Sequence, residues 1–264
     1  MRKKHFILNF IVIIFLVIVA AIIGCMFAQK AMAADNPFDE DLDIQPFLDE
    51  IKEELLSRQE TAHTMAECAR ALGYDEDNPI IFLAKEEWHD CQKQIDNLDI
   101  WQDKYEEYPY ATYVWLFLTT ELQYSDEVAA GIMGNIMAEC SGGTLDIQYW
   151  LYSSGSGFYY GMCQWSKTTY PDVRGQDLKY QCNFLAKTIE YEINVFGYAY
   201  QKGYKFENFL ELTSPEDAAL MFAKCYERCA QSTYQVRQKN AAAAYKYYVT
   251  SLREKELDLG EDEG

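Results

Sequence analysis

No stretch of this chain alternates apolar and polar residues for long enough to make a useful strand, so its core has to be built from helices. A spacing of three and four recurs instead. Leu48, Ile51, Leu55, Ala62, Met65, Ala69 and Leu72 form one heptad-like run, and Ile81, Ala84, Trp88, Cys91, Ile95, Leu98 and Tyr105 form a second. Gly73 to Asp77 reads as a turn between them, and Asn78-Pro79 supplies a cap and first turn. The spacing predicts an antiparallel helical hairpin over residues 47–108. It reads equally as a stalk or coiled coil that binds a protein of an envelope machine, or as a subdomain packed on the larger domain C-terminal to it. With Leu72 set opposite Ile81, Cys68 and Cys91 fall about 9 Å out of step along the helices. That exceeds the ~7 Å Cα limit for a disulfide.

Pro109 breaks this rhythm, and the chain then turns rich in aromatics, small residues and cysteine. Helices are expected over 111–123, 126–140, 176–200, 205–212, 215–230 and 232–252, with a Gly/Ser-rich loop at 141–158. A short element is expected around Gln164-Trp165, and Ser214-Pro215 is a second cap and first-turn pair. The fold class is mainly α, with residues 109–252 as the larger domain and 253–264 as an acidic tail.

The N-terminus bears on location. Arg2, Lys3 and Lys4 precede an apolar run from Phe6 to Gly24, interrupted only by Asn9, and about 20 such residues span a bilayer. Basic residues stay on the cytoplasmic side, so the rest of the chain is expected outside, as a single-pass membrane protein. Two other fates stay open for the segment 1–33. Ala31-Met32-Ala33 reads as a signal-peptidase site that would release the chain, and Ile22-Ile23-Gly24-Cys25 as a loose lipobox that would make it lipid-anchored. The anchor is preferred, because the run is longer than a signal h-region of ~7–15 residues. Residues 34–46, with five acidic residues and two prolines, suit an extended linker.

The net charge of −19 removes nucleic acid from the partners, since like charges repel, and otherwise describes a solvated surface. Eight cysteines suit an oxidising exterior, but setting aside Cys25 leaves an odd number, so at least one stays unpaired. No C-x-x-C pair occurs and no histidine lies near the last five cysteines, so the sequence offers no zinc site and implies no metal or other cofactor.

The three histidines are His5, His63 and His89, which leaves the larger domain with none of its own. Ser-His-Asp hydrolysis, Cys-His peptidase chemistry and zinc amidase chemistry each need an imidazole. Phosphate-binding glycine loops are absent as well. Carboxylate chemistry remains. Val128, Ile132, Ile136 and Glu139 succeed one another at four, four and three residues, which puts the Glu139 carboxylate on the apolar face of its helix. Partial burial and the negative end of the helix dipole would both favour a carboxyl that keeps its proton, as a general acid requires. A solvated Glu reaching past Cys140 is the plainer alternative from periodicity alone.

The run Ala130-Gly131-Ile132-Met133-Gly134-Asn135-Ile136-Met137-Ala138-Glu139 resembles the catalytic helix of phage tail lysozyme domains, which are related to goose-type lysozymes and lytic transglycosylases. Gly161-Met162-Cys163-Gln164-Trp165 is similar to that family's Gly-x-x-Gln-Trp segment. Phe222, Tyr226-Glu227, Arg237 and Ala241 fit its C-terminal helices, so the resemblance covers roughly residues 110 to 250.

The resemblance implies a lysozyme-like fold and cleavage of the β-1,4 bond between N-acetylmuramic acid and N-acetylglucosamine, with Glu139 as acid and then base. It implies that Gln164 hydrogen-bonds near the cleavage point and that Trp165, Tyr159 or Tyr160 stack on sugar rings, against core packing as the alternative for each aromatic. Asp146 is a candidate second carboxylate, needed if a water is activated and idle if the sugar supplies its own hydroxyl. Glu227 and Arg237 read as a structural ion pair. Where the family usually has Ser after the Glu, this chain has Cys140, either paired with Cys163 or packed as a small residue. The partner expected is therefore peptidoglycan, opened locally for conjugation or secretion. A glycan-binding scaffold without catalysis is the alternative.

Overall fold

Ser125 opens the helix on which the rest is arranged. Its hydroxyl accepts from the Val128 amide at 3.3 Å, satisfying one of the orphan amides of a helix start, and Asp126 and Glu127 favour the positive end of the dipole. This helix, Asp126–Cys140, is buried from Val128 to Met137 on every side. A helix apolar all round can only sit inside, and fully burying each large side chain contributes about 1.5–3 kcal/mol.

The structure, a computed structural model, describes residues 42–147 and 157–250. The expected bilayer segment, Cys25, the Ala31-Met32-Ala33 site, residues 34–41 of the acidic linker and the acidic tail lie outside the described residues, while Gln45 and Pro46, expected at the end of that linker, already open the first helix. Among the described residues no helix is long and apolar enough to cross a membrane.

The elements in chain order are α1 (Gln45–Ala71), α2 (Pro79–Asp96), α3 (Asp99–Glu107), α4 (Pro109–Leu116) and the central α5 (Asp126–Cys140). A two-residue antiparallel ladder, β1 (Tyr159–Tyr160) with β2 (Trp165–Ser166), comes next. Then come α6 (Leu178–Phe196), α7 (Phe206–Leu210), α8 (Pro215–Phe222) and α9 (Tyr234–Tyr245). Wider π turns extend α4 over Phe117–Glu121, α8 over Ala223–Glu227 and α9 over Lys246–Thr250. The expected mainly α class is the one the chain adopts. The segment expected as one helix over 215–230 stops at Glu227, because Arg228 turns left-handed with φ 51°.

α1 and α2 lie antiparallel, with Arg58 against Glu87 at 2.8 Å and the Gln59 amide donating to the Trp88 carbonyl at 3.2 Å. Cys68 and Cys91 are both free thiols. The base of α1 does not stand apart: Ile44, Phe47 and Leu48 join the main core, and the Phe47 ring meets Tyr113 edge-on at 5.3 Å. α3 is tied in by Lys104, whose ammonium donates to the Tyr247 carbonyl and lies over that residue's ring.

Two glycines decide how close the C-terminal helices come. A Cβ on Gly131 would stand 2.4 Å from the Ala218 Cβ, and one on Gly134 would stand 2.5 Å from the Ala241 amide nitrogen. Both are well inside van der Waals contact, so α8 and α9 approach the backbone of α5 only because these side chains are missing.

Candidate active site

Glu139 occupies the last turn of α5, where the backbone carbonyls run out of amide partners and the dipole is negative. α5 carries no basic residue in that turn, and the compensating charge comes from α9. The Arg237 guanidinium donates through Nη2 to Glu139, through Nη1 to Asn135 Oδ1 at 3.1 Å and through Nε to Thr233 Oγ1 at 3.3 Å. The Arg237 side chain is 5 % exposed and that of Glu139 21 %. The carboxylate thus sits at an edge, with its guanidinium behind it. Burial opposes the charge on Arg237, while Glu139 and Glu227 outweigh that and hold it firmly protonated.

Asn135 makes this arrangement rigid. Its amide donates to the Gly131 carbonyl one turn back at 2.9 Å and to the Ala219 carbonyl of α8 at 3.0 Å, leaving its oxygen for Arg237. One wholly buried side chain therefore joins α5, α8 and α9 with every polar atom used. On the next turn, Asn240 of α9 donates to the Gly134 carbonyl at 3.3 Å.

The turn between β1 and β2 is anchored to the same end of α5. The Cys140 thiol, one residue past Glu139, donates to the Met162 carbonyl at 3.1 Å, and the Met162 amide donates to Gln181 Oε1 of α6 at 2.8 Å. Gly161, with φ +79°, leaves no room for a Cβ, which would fall 2.7 Å from Gln181 Oε1 and 2.9 Å from the Trp165 ring. Gln164 itself is left-handed at φ 46°, unusual for a residue with a Cβ, and its amide donates back to the Gly161 carbonyl at 3.0 Å. Cys140 and Cys163 do not form the disulfide that was one of two expectations for them: both are free, buried thiols, raised well above the usual range by desolvation and nearby carboxylates.

Glu227, at the end of the π turn after α8, corrects the ion pair expected with Arg237. Arg237 donates to Glu139 instead, and Arg228 is taken by Glu192. Glu227 Oε1 is sealed from solvent and accepts no hydrogen bond among the described residues. Burial, and then the Glu139 charge, push its carboxyl up to about 8, against the pull of Arg237.

With this geometry in place, the comparisons are informative. The family model for phage tail lysozyme matches residues 109–248, just over half of the chain, including α4 to α9 and every residue of this site. The chain belongs to the phage tail lysozyme family. Membership suggests a glycosidase that cleaves peptidoglycan. Neither the curated proteins nor the solved structures give a match.

The other residues singled out in this phage tail lysozyme domain are placed differently from one another. Tyr159 is 50 % exposed. Trp165 is only 5 % exposed: its indole donates to the Tyr226 hydroxyl at 2.9 Å, and its ring meets Phe184 edge-on at 5.3 Å. Tyr160 is buried too, with its hydroxyl donating to the Gly157 carbonyl at 2.6 Å. Asp146 is exposed and lines a surface depression with Glu107, Tyr108 and Tyr110. No hydrogen bond or ion pair links Asp146 to Glu139 among the described residues, and residues 148–156 of the same loop are outside them.

Asn135 belongs to the Ala130–Glu139 run but carries no role of its own in the sequence, and the partners of Arg237 and Glu227 differ from the pair expected. The available signal was spacing: Asn135 and Glu139 are four apart on one face of α5, so whatever meets one is within reach of the other.

Proposed function

We propose that this domain cleaves the glycan strands of peptidoglycan with Glu139 as the acid, acting outside the membrane on a chain tethered by residues 6–24. The observation that carries the reading is the Glu139–Arg237–Asn135 cluster: a half-buried carboxylate at the open end of the central helix, held in one orientation by a buried guanidinium. Such preorganisation costs nothing at the moment of reaction, and that makes a positioned acid effective. Gln164, fixed in its left-handed turn and tied to the same helix end through Cys140, is the polar group proposed to meet the sugar near the scissile bond. Tyr159 is proposed to stack on a ring, with Trp165 and Tyr160 supporting the turn from beneath. Asp146 is the carboxylate proposed to hold water if the enzyme hydrolyses. The envelope machine served, for conjugation or secretion, would be engaged through the α1–α2 hairpin.

The test is mass spectrometry of soluble products from purified peptidoglycan treated with the full chain and with Glu139→Gln. Reducing muramic ends that need Glu139 identify a lysozyme, and 1,6-anhydro ends a lytic transglycosylase that works without Asp146. Equal digestion by the variant and wild type overturns the assignment of Glu139. The ion pair itself favours one second reading, since Arg237 already engages the carboxylate that would have to act: a domain that binds glycan without cutting it. Glycan bound with no new ends is the result that selects it.

A further inference from the structure

Glu227 is not needed for the reading of Glu139 given above, yet it is built into the same cluster. Facing it are Glu139 and Cys140 from α5, Cys163 from the β turn, Arg237 from α9, and Tyr226, Arg228 and Cys229 from its own stretch. Only two of these are cations. Arg228 donates to Glu192, and Arg237 donates to Glu139 and Asn135. A carboxylate at Glu227 would be a buried negative charge whose Oε1 has no donor to meet it, beside another carboxylate. A neutral carboxyl costs far less to bury than a charged one, and a like-charged neighbour strengthens the preference.

We propose that Glu227 is a positioning residue that stores the proton of the site: Glu139 and Glu227 together carry one proton at neutral pH, resident on Glu227 while Arg237 engages Glu139. The proposal rests on the reading of Glu139 as the acid. When substrate occupies the edge of the site, the O–H bond of Glu227 breaks as an O–H bond forms on Glu139, so that one proton changes carboxyl. The proton count and charge of the pair are unchanged. Glu139 then gives that proton to the glycosidic oxygen as its bond to carbon breaks, and the pair regains one from the attacking water or sugar hydroxyl. The elevation of Glu227 to about 8 agrees with a proton kept through neutral pH.

The experiment is the pH profile of peptidoglycan cleavage, from pH ~5 to ~9, for the full chain and for Glu227→Gln, Glu227→Asp and Glu139→Gln. Glu227→Gln is expected to move the upper limb to lower pH, with about tenfold less activity at pH 7 relative to its own value at pH 5, as loss of an acid's proton supply requires. Glu227→Asp is expected to keep the wild-type limb. A uniform loss at every pH, or an unmoved limb, overturns the proposal and leaves a structural acid. If Glu139→Gln cleaves like wild type, the reading of Glu139 has failed, and the infrared spectrum judges Glu227 separately. A protonated-carboxyl band at pH 7 that fades by pH 9 and is missing in Glu227→Gln supports proton storage, and no such band in wild type overturns it. If Glu227→Gln does not fold, the band in Glu227→Asp must still fade with pH.

Discussion

Gly134 faces the backbone of Arg237 so closely that a Cβ would lie 2.5 Å from the Arg237 carbonyl oxygen. That approach sets where the guanidinium lands: at the next residue of α5 it meets Asn135, and one turn further, at the helix end, Glu139. Closeness of two helices is thereby converted into orientation of one carboxylate.

Gly134→Ala is expected to push α9 away from α5. The overpacking should cost about 1–3 kcal/mol, or more because the obstruction is backbone. Cleavage should fall further than stability does, since Arg237 moves with its helix. Denaturant unfolding alongside a turnover assay checks both, and a variant with normal stability and full activity contradicts the account.

Asn135→Ala removes the Oδ1 acceptor from the buried Arg237 Nη1 and takes one of two donors from the Ala219 carbonyl, which keeps the Ala223 amide. Leaving buried polar groups unmet costs about 1–3 kcal/mol each. A drop of that order in unfolding free energy is expected, together with weaker product formation by a folded variant.

Glu227 gives stability a pH dependence of definite sign. Its folded value is raised from 4.5 to about 8, so between those pH values the native state holds a proton that the unfolded chain has released. Stability from this group is complete below the lower value and is lost as pH rises through the upper one, on the order of a few kcal/mol in all. Thermal melts of wild type and Glu227→Gln across that window should converge at neither end: the variant's curve is flatter. Parallel curves would show that Glu227 ionises normally.

Tyr159→Ala should weaken glycan binding by about 0.5–1.5 kcal/mol with little change in stability, as expected for one exposed stacking ring. Trp165→Phe should do the reverse, costing about 1 kcal/mol of stability through the lost bond to Tyr226. Glycan pull-down and thermal melts separate the two.

Alkylation of the native protein should label Cys68 first among the described cysteines, because it is exposed, while Cys140, Cys163 and Cys182 are buried with thiols that resist ionisation. Peptide mapping reads the order, and early labelling of Cys140 would mean that the end of α5 opens.

Much of the helical frame was legible locally. Ser214 and Asn78 each cap the helix expected of them, since a cap is decided by a side chain and an amide two or three residues away. The span 126–140 and the inward aim of Glu139 come from spacing for the same reason. The π turns after α4, α8 and α9 left no such trace, and neither did the left-handed stop at Arg228.

The partners of the site were not legible at all. By itself the sequence determined a mainly helical chain, the helix that carries Glu139, the side of it that faces inward, and the family. Only the tertiary structure decided that Arg237 serves Glu139 and not Glu227, that Trp165 turns its indole to Tyr226, and that Cys140 fastens the turn bearing Gln164. The physical reason is separation: Glu139 and Arg237 are 98 residues apart. Local spacing fixes a direction within a helix, while a partner that far along the chain is chosen by which helices can approach, and here two missing side chains on α5 make that choice.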